Sequence, residues 1–473
     1  MTATPSSRLI VGPFNRVEGD LEVTLDVADG VVREARVTAP MYRGFEQILT
    51  NRAPEDALAI APRICGICSV SQSVAAARAL AAMAAIEAPP NGRLVADLVL
   101  AAENAADHLT HFTLFFMPDF ARPAYAGRPW HEAAVRRFAA SRGEAQQALM
   151  PARARFLHLM GLLAGKWPHS LAIQPGGTTK SVVAGERVRL IAILAEFREA
   201  LETVMFADRL EKVAALHSPA ALEEWADAAP PDRGDFRLFL HIARDLGLDR
   251  LGRGPGTFLS HGSFGLWPAG VARGGEIRPF DPALVAEDLA HAWMDTPTRP
   301  DADKADAYSW CKAPRLAGQV AEVGALARQM VAGDPLAHGL VAASGGTVRD
   351  RVVMRMIELA RLVIAMDGWA RALTPGAAMC TTAPMPQHGR GIGQTEAARG
   401  ALGHWLEVEG GTIRSYQIIA PTTWNFSPRD TAGTPGPLEQ ALAGTPVPPG
   451  DPTPLAVQHV VRSFDPCMAC TVH

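Results

Sequence analysis

The chain has 473 residues, 48% hydrophobic and 20% charged, with a formal net charge of −4. That length can bury a large core, and nothing in the slightly acidic balance suggests a nucleic-acid-binding or acidic-membrane surface. No apolar run is long and charge-free enough to span a bilayer, residues 1–8 have no basic stretch leading into an apolar one, and six cysteines are too few for a disulfide framework, so a cytoplasmic protein is expected.

The chain begins as β structure. Residues 21–27 alternate apolar and polar side chains, Ala28-Asp29-Gly30 makes a turn, and residues 31–37 alternate again, which predicts a hairpin. At Pro54-Glu55-Asp56 the period changes, with Pro and acids suited to a first helical turn. Ala/Leu-rich segments at helical spacing predict helices over 71–86, 93–116, 131–163, 186–216, 313–331 and 348–373. Turn residues predict irregular chain at 174–179 and 251–275, and a surface loop at 432–454. Residues 402–408 and 412–419 read as a smaller, late hairpin around Glu409-Gly410-Gly411. The expected fold is mainly α (α+β) and a single domain, 1–473. It has a β-rich N-terminal part (1–50), a large helical bundle body (51–400), and a β hairpin, loop and metal-binding C-terminal tail (401–473), with the tail buried at the metal site.

Four of the six cysteines stand in two pairs, Cys65-Gly66-Ile67-Cys68 and Cys467-Met468-Ala469-Cys470. A Cys-x-x-Cys pair puts two sulfurs on one short turn, and two pairs offer a complete tetrahedral thiolate set. Zinc is a common occupant of such a set. Zinc modules, however, join their pairs over short loops, and here almost the whole chain intervenes. Soft thiolates also suit nickel and iron, so the cysteines alone leave zinc, a redox dithiol and other soft metals open. Cys311 and Cys380 are isolated and read as buried free thiols.

The flanks narrow the choice. Arg63-Ile64-Cys65-Gly66-Ile67-Cys68 and Asp465-Pro466-Cys467-Met468-Ala469-Cys470-Thr471-Val472-His473 resemble the two cysteine motifs of the nickel–iron hydrogenase large subunit. Other pieces follow in the family's order: Arg16-Val17-Glu18-Gly19, Tyr42-Arg43-Gly44-Phe45-Glu46 and Asp107-His108-Leu109-Thr110-His111-Phe112. Further on come Tyr308-Ser309-Trp310, Lys312-Ala313-Pro314-Arg315, Arg399-Gly400-Ala401-Leu402-Gly403-His404-Trp405 and Pro421-Thr422-Thr423-Trp424-Asn425. The resemblance spans essentially the whole chain.

It implies that all four thiolates bind nickel, with Cys65 and Cys467 terminal and Cys68 and Cys470 bridging to an iron that carries one CO and two cyanides. Arg399 and Thr422 match the residues facing those diatomic ligands, and Asp107 and Asp465 the acids around the guanidinium. Glu18 matches the carboxylate that takes a proton from the terminal thiolate after heterolytic H2 cleavage, a role suited to a carboxyl whose pKa burial raises. Glu46, His473 and the backbone carbonyl of Ile418 match the ligands of a hard cation, usually Mg2+. A small subunit with iron–sulfur clusters is implied as partner, because this chain has no spare cysteines for a cluster. A dimer of such heterodimers is expected.

The departures point to a subgroup. Gln72 stands where the family usually has His; an amide can donate a hydrogen bond but cannot titrate. Asp20 and Ala398 replace a usual His and Pro. Ile67 and Phe115 are bulkier than the Val and Leu common in catalytic members, and they fall along the implied gas channel. The chain ends at His473, after which catalytic members generally carry a removable extension, so an extension is expected to be absent. Together these resemble the regulatory, hydrogen-sensing subgroup, which cleaves H2 slowly and signals to a histidine kinase. The alternative is an uptake hydrogenase that feeds respiration. A relative without metal, as in respiratory complex I, is opposed by the four cysteines.

Overall fold

The computed structural model describes residues 7–473; residues 1–6, on which the leader reading mostly rests, lie outside the described range. The first predicted hairpin forms. Strand β2 (Glu22–Ala28) pairs antiparallel with β3 (Val31–Thr38). Their turn residues Asp29 and Gly30 both have positive φ, 56° and 72°, the conformation a two-residue hairpin turn demands. A further strand, β1 (Ser7–Val11), extends the sheet in the order β1-β2-β3. Alternation sends Val23, Leu25, Val32, Ala35 and Val37 into the core.

The helices that frame the site are α1 (Ser69–Ala84), α2 (Pro90–Thr110) and α3 (Val348–Ala372). Helix α2 runs on into a π-helical turn at His111–Phe116. The single helix predicted over 131–163 is three, His131–Phe138, Glu144–Phe156 and His158–Ala164. Gly143 makes the first break: a Cβ there would lie 2.4 Å from the Arg137 carbonyl oxygen. Residues 186–216 likewise divide into Ala184–Ala200, a π turn at Leu201–Met205, and Leu210–Ala214.

Four expectations need correction. Of the helix predicted at 313–331, only Ala325–Val331 is helical, while Ala313–Leu316 is a strand antiparallel to Val285–Asp288. Pro314 and Gly318 disfavour helix there, and Arg315 gains a buried ion pair with Asp430 at 2.7 Å. The region 251–275 is not irregular, since Thr257–Ser263 and Trp267–Arg273 pair as strands and only some of its glycines form turns. The supposed surface loop at 432–454 contains a short buried helix, α4 (Pro437–Leu442), anchored by Leu438 and Leu442. Cys311 is buried as expected, but Cys380 is partly exposed.

The late hairpin is also larger than predicted. Strands β4 (Gly389–Ala397), β5 (Gly400–Glu409) and β6 (Thr412–Ile419) form an antiparallel sheet in that order. Strand β4 lies against α1 backbone to backbone. A Cβ on Gly393 would fall 1.9 Å from the Ala75 carbonyl oxygen, and one on Gly391 2.0 Å from that of Ala79. Helix α5 (Leu455–Ser463) then delivers the chain to its C-terminal tail. The mixture of helices and small antiparallel sheets is the α+β class expected. Among the described residues no helix is long and apolar enough to cross a membrane.

Candidate metal centre

A terminal peptide frays unless something ties it down; here three segments do. Glu18 and Cys467 form a parallel bridge, with Met468 N–H donating to the Glu18 carbonyl at 2.6 Å. Gly19, at φ 81°, lets the two chains pass, because a Cβ there would meet Ala469 N and Met468 Cβ, each at 3.2 Å. Arg43 donates to the carbonyls of both Ile64 and Ala469, stitching the two cysteine motifs together. The Thr423 hydroxyl donates to the Thr471 carbonyl at 2.9 Å, and the Thr422 hydroxyl accepts from Cys467 N–H at 3.3 Å. Asp465 turns the chain into this cradle with a φ of 56°, unusual for a residue other than glycine.

The result is a buried thiol cluster. Cys65, Cys68, Cys467 and Cys470 place their Sγ atoms within 4.8 Å of one another, and none is in a disulfide. Sγ of Cys68 lies 2.9 Å from that of Cys470, Cys65 lies 3.5 Å from Cys467, and Cys467 lies 3.0 Å from Cys470. Hydrogen bonding from Cys467 pulls the Cys65 thiol well below its ordinary range, while burial pushes Cys470 well above. Four thiolates in so small and dry a volume need a soft cation to balance them, so the donor set fits a thiophilic metal.

Above the sulfurs sits one buried guanidinium. Arg399 bonds Asp107 at 2.9 Å and Asp465 at 3.1 Å, and its Nε donates to the Asp465 carbonyl at 3.0 Å. Burial disfavours its charge, but the two acids and then Cys467 and Cys68 hold its pKa well above normal, so it stays cationic. Burial lifts Asp107 to about 6 against the pull of Arg399. Asp465 also feels burial, but Arg399, His111 and Arg355 hold it at about 2. Arg355 reaches Asp465 at 3.1 Å and touches His108, whose Nε2 lies 2.9 Å from Glu358.

The remaining predicted residues surround this core. Glu18 is half-buried; burial first, then the Cys65 charge, raise its pKa, and Arg399 lowers it. Gln72 follows Cys68 by one helical turn, its N–H on the Cys68 carbonyl at 3.1 Å, and its Oε1 lies 2.7 Å from His404 Nε2. The His473 ring is buried with neither nitrogen partnered. Burial and the Lys312 charge hold it neutral, while the Ile418 carbonyl pulls the other way. Glu46 accepts from the Ile418 N–H at 2.8 Å and from Lys312 Nζ at 2.8 Å, and Lys312 also reaches Glu287 at 2.8 Å. An unpartnered neutral imidazole beside the Ile418 carbonyl fits a cation, although Lys312 already brings one positive charge to Glu46. Ile67 and Phe115 are both only partly buried, and the Phe115 carbonyl accepts from Arg16 at 3.1 Å.

A family model described as nickel-dependent hydrogenase matches residues 43–128 and 147–473. This chain belongs to the nickel-dependent hydrogenase family. It is 28% identical to the periplasmic [NiFeSe] hydrogenase large subunit of Desulfomicrobium baculatum, over 100% of this chain and 96% of that protein. It is also 28% identical to the hydrogenase-2 large chain of Escherichia coli (strain K12), over 99% and 97%. The uptake hydrogenase large subunit of Afipia carboxidovorans is 26% identical over 98% and 95%. Among solved structures, the reduced Ni-Fe-Se hydrogenase of D. vulgaris Hildenborough superposes with a TM-score of 0.83 at 28% identity, covering 99% of this chain and 100% of that one.

The protein is therefore a hydrogenase large subunit, an oxidoreductase that cleaves H2. Its four cysteines are the residues able to hold the metal. When bound, the nickel–iron group supplies the redox-active pair at which H2 is polarised. The hydrogenase chain supplies a fixed cation over the cysteines at Arg399 and a carboxyl beside Cys65 at Glu18. Sequence reasoning passed over Arg43, Thr423, Lys312, Arg355, His404 and Tyr416. All but Arg355 and Tyr416 lie inside motifs that drew attention for other residues, so their signal was present but unassigned.

Proposed function

We propose that this chain carries the nickel–iron centre of a regulatory hydrogenase, which cleaves H2 slowly and reports it to a histidine kinase. The observation that carries this reading is Gln72, a non-titrating amide one turn after Cys68. In this reading Cys65 and Cys467 are terminal nickel ligands and Cys68 and Cys470 bridge to iron. Arg399 and Thr422 line the pocket for CO and cyanide, with Asp107 and Asp465 holding Arg399. Glu18 receives the proton, and Glu46, His473 and the Ile418 carbonyl hold Mg2+ or a similar cation. Ile67 and Phe115 narrow the approach of gas. A small subunit with iron–sulfur clusters takes the electrons, in a cytoplasmic dimer of heterodimers.

The competing reading is an uptake enzyme, and the relative so named from Afipia carboxidovorans favours it. Infrared spectroscopy of the purified complex, before and after H2 and after air, separates the two. One CO and two cyanide bands that move between few states, with no slowly reactivated forms after air, support the sensor. Several oxygen-inactivated states indicate the uptake enzyme. A complex with Gln72→His that still cleaves H2 but no longer signals supports the role of Gln72, and unchanged signalling with the kinase present removes it.

A further inference from the structure

An amide has two ends of opposite polarity, and which end faces the cysteines decides whether Gln72 donates to sulfur or repels it. Cys68 caps the start of α1, and the Gln72 N–H four residues on donates to its carbonyl at 3.1 Å. The other side of the Gln72 amide meets a short buried chain of polar groups. Its Oε1 lies 2.7 Å from His404 Nε2, and His404 Nδ1 lies 2.8 Å from the Tyr416 hydroxyl. Gln72, His404 and Tyr416 are at most 2% exposed. Among the described residues the Tyr416 hydroxyl has no other hydrogen-bond partner. A neutral imidazole carries one N–H only.

Two polarities are open to such a chain. In one, Tyr416 O–H donates to Nδ1, Nε2–H donates to the Gln72 carbonyl, and the amide nitrogen is the free end. The phenolic and imidazole hydrogens are both used. In the other, the Gln72 amide nitrogen donates to Nε2 and Nδ1–H donates to the Tyr416 oxygen. The phenolic hydrogen and the Gln72 carbonyl are then both left without a partner. The structure places Gln72 Oε1, not the amide nitrogen, 2.7 Å from Nε2, which is the first arrangement.

We propose that His404 and Tyr416 are positioning residues which fix the polarity of the Gln72 amide, so that its nitrogen is the end presented to the cysteine cluster. The tie crosses from α1 to β5 and β6, and the close approach of β4 to α1 at Gly391 and Gly393 holds that packing tight. This rests on the placement of the metal at the four cysteines and is independent of the choice between sensor and uptake enzyme.

The test is infrared spectroscopy of the matured complex carrying Gln72→Leu, Tyr416→Phe, His404→Leu or His404→Gln. A donor on a thiolate withdraws electron density from the metal pair, so Gln72→Leu should shift the CO and cyanide bands. Tyr416→Phe and His404→Leu should shift them in the same direction or split them into two populations. His404→Gln can accept from Tyr416 and donate to Gln72, so it should restore the wild-type positions. Bands that move with Gln72→Leu but stay fixed in Tyr416→Phe and His404→Leu overturn the proposal, as do bands indifferent to Gln72→Leu. Wild-type complex without any of these bands would instead overturn the metal assignment. Should variants fail to mature, 15N NMR of histidine-labelled wild-type complex decides: His404 protonated at Nε2 supports the proposal and at Nδ1 overturns it.

Discussion

The sheets β1–β3 and β4–β6 share one topology, three antiparallel strands in sequence order, yet they stand in opposite relation to the metal centre. In the first, Val23, Leu25 and Val37 face the core while Arg33 and Glu34 face water, the ordinary economy of a one-sided sheet. In the second, β5 is buried continuously from Gly400 to His404, so polar side chains on it are enclosed too. Arg399 enters just before β5, His404 lies within it, and Tyr416 and Ile418 answer from β6, with His404 opposite Ile418. Covering both faces turns a stabilising sheet into a scaffold: each enclosed polar group must find a partner, and those partners fix the site.

The largest effect is expected where the second sheet meets the sulfurs. Arg399→Lys keeps a charge but loses the fork that spans Asp107 and Asp465. H2 oxidation should fall by about 100-fold or more with the CO and cyanide bands retained; a variant keeping a tenth of the activity would show that charge alone suffices. Gly393→Ala comes next. Its methyl would overlap the Ala75 carbonyl, so α1 and β4 must part, at a cost above about 3 kcal/mol. Because α1 also carries Gln72, the little complex that matures should show displaced infrared bands.

Leu25→Ala is the control in the first sheet. Leu25 is fully buried, and its loss should cost about 3–5 kcal/mol, read as a lower midpoint in denaturant melts. The surviving complex should keep wild-type bands. If Leu25→Ala displaces them as Gly393→Ala does, the two sheets are not functionally distinct.

The same contrast sets what could be read before the fold was known. The β2–β3 hairpin of the first sheet was legible, though β1 was not, because a one-sided strand alternates and Asp29-Gly30 announces its turn. Strand β4 was not: Gly389, Gly391 and Gly393 carry no side chain to alternate, since their function is to let α1 approach. The strands at 257–263 and 313–316 were hidden for related reasons, glycines crowding the flanks of one and a buried Arg315 in the other. At the centre, the cysteines, Arg399, Glu18, Asp107 and Asp465 were legible through motifs. Arg43, His404 and Tyr416 act across hundreds of residues or between strands, so only folding reveals their partners.

The smallest expected effect lies where the first sheet touches α4. Glu439 accepts from the Val37 N–H of β3 at 3.0 Å, from the Tyr308 hydroxyl at 2.8 Å and from the Gly436 N–H at 3.3 Å. Burial nevertheless raises its pKa to about 7, against those donors. Between the ordinary carboxyl value of 4.5 and about 7, the native state then holds a proton that the unfolded chain has lost. Stability contributed by this group is complete below about 4.5 and declines as pH rises through about 7, by no more than about 3 kcal/mol. Glu439→Gln keeps an acceptor for Val37 and Tyr308 but cannot titrate. Melts of the complex at pH 5 and pH 8 should therefore show a smaller drop for the variant than for the wild type. An unchanged drop would mean that three converging donors outweigh burial, that Glu439 is ionised in the native protein, and that this sheet, like the other, encloses a charge it has fully partnered.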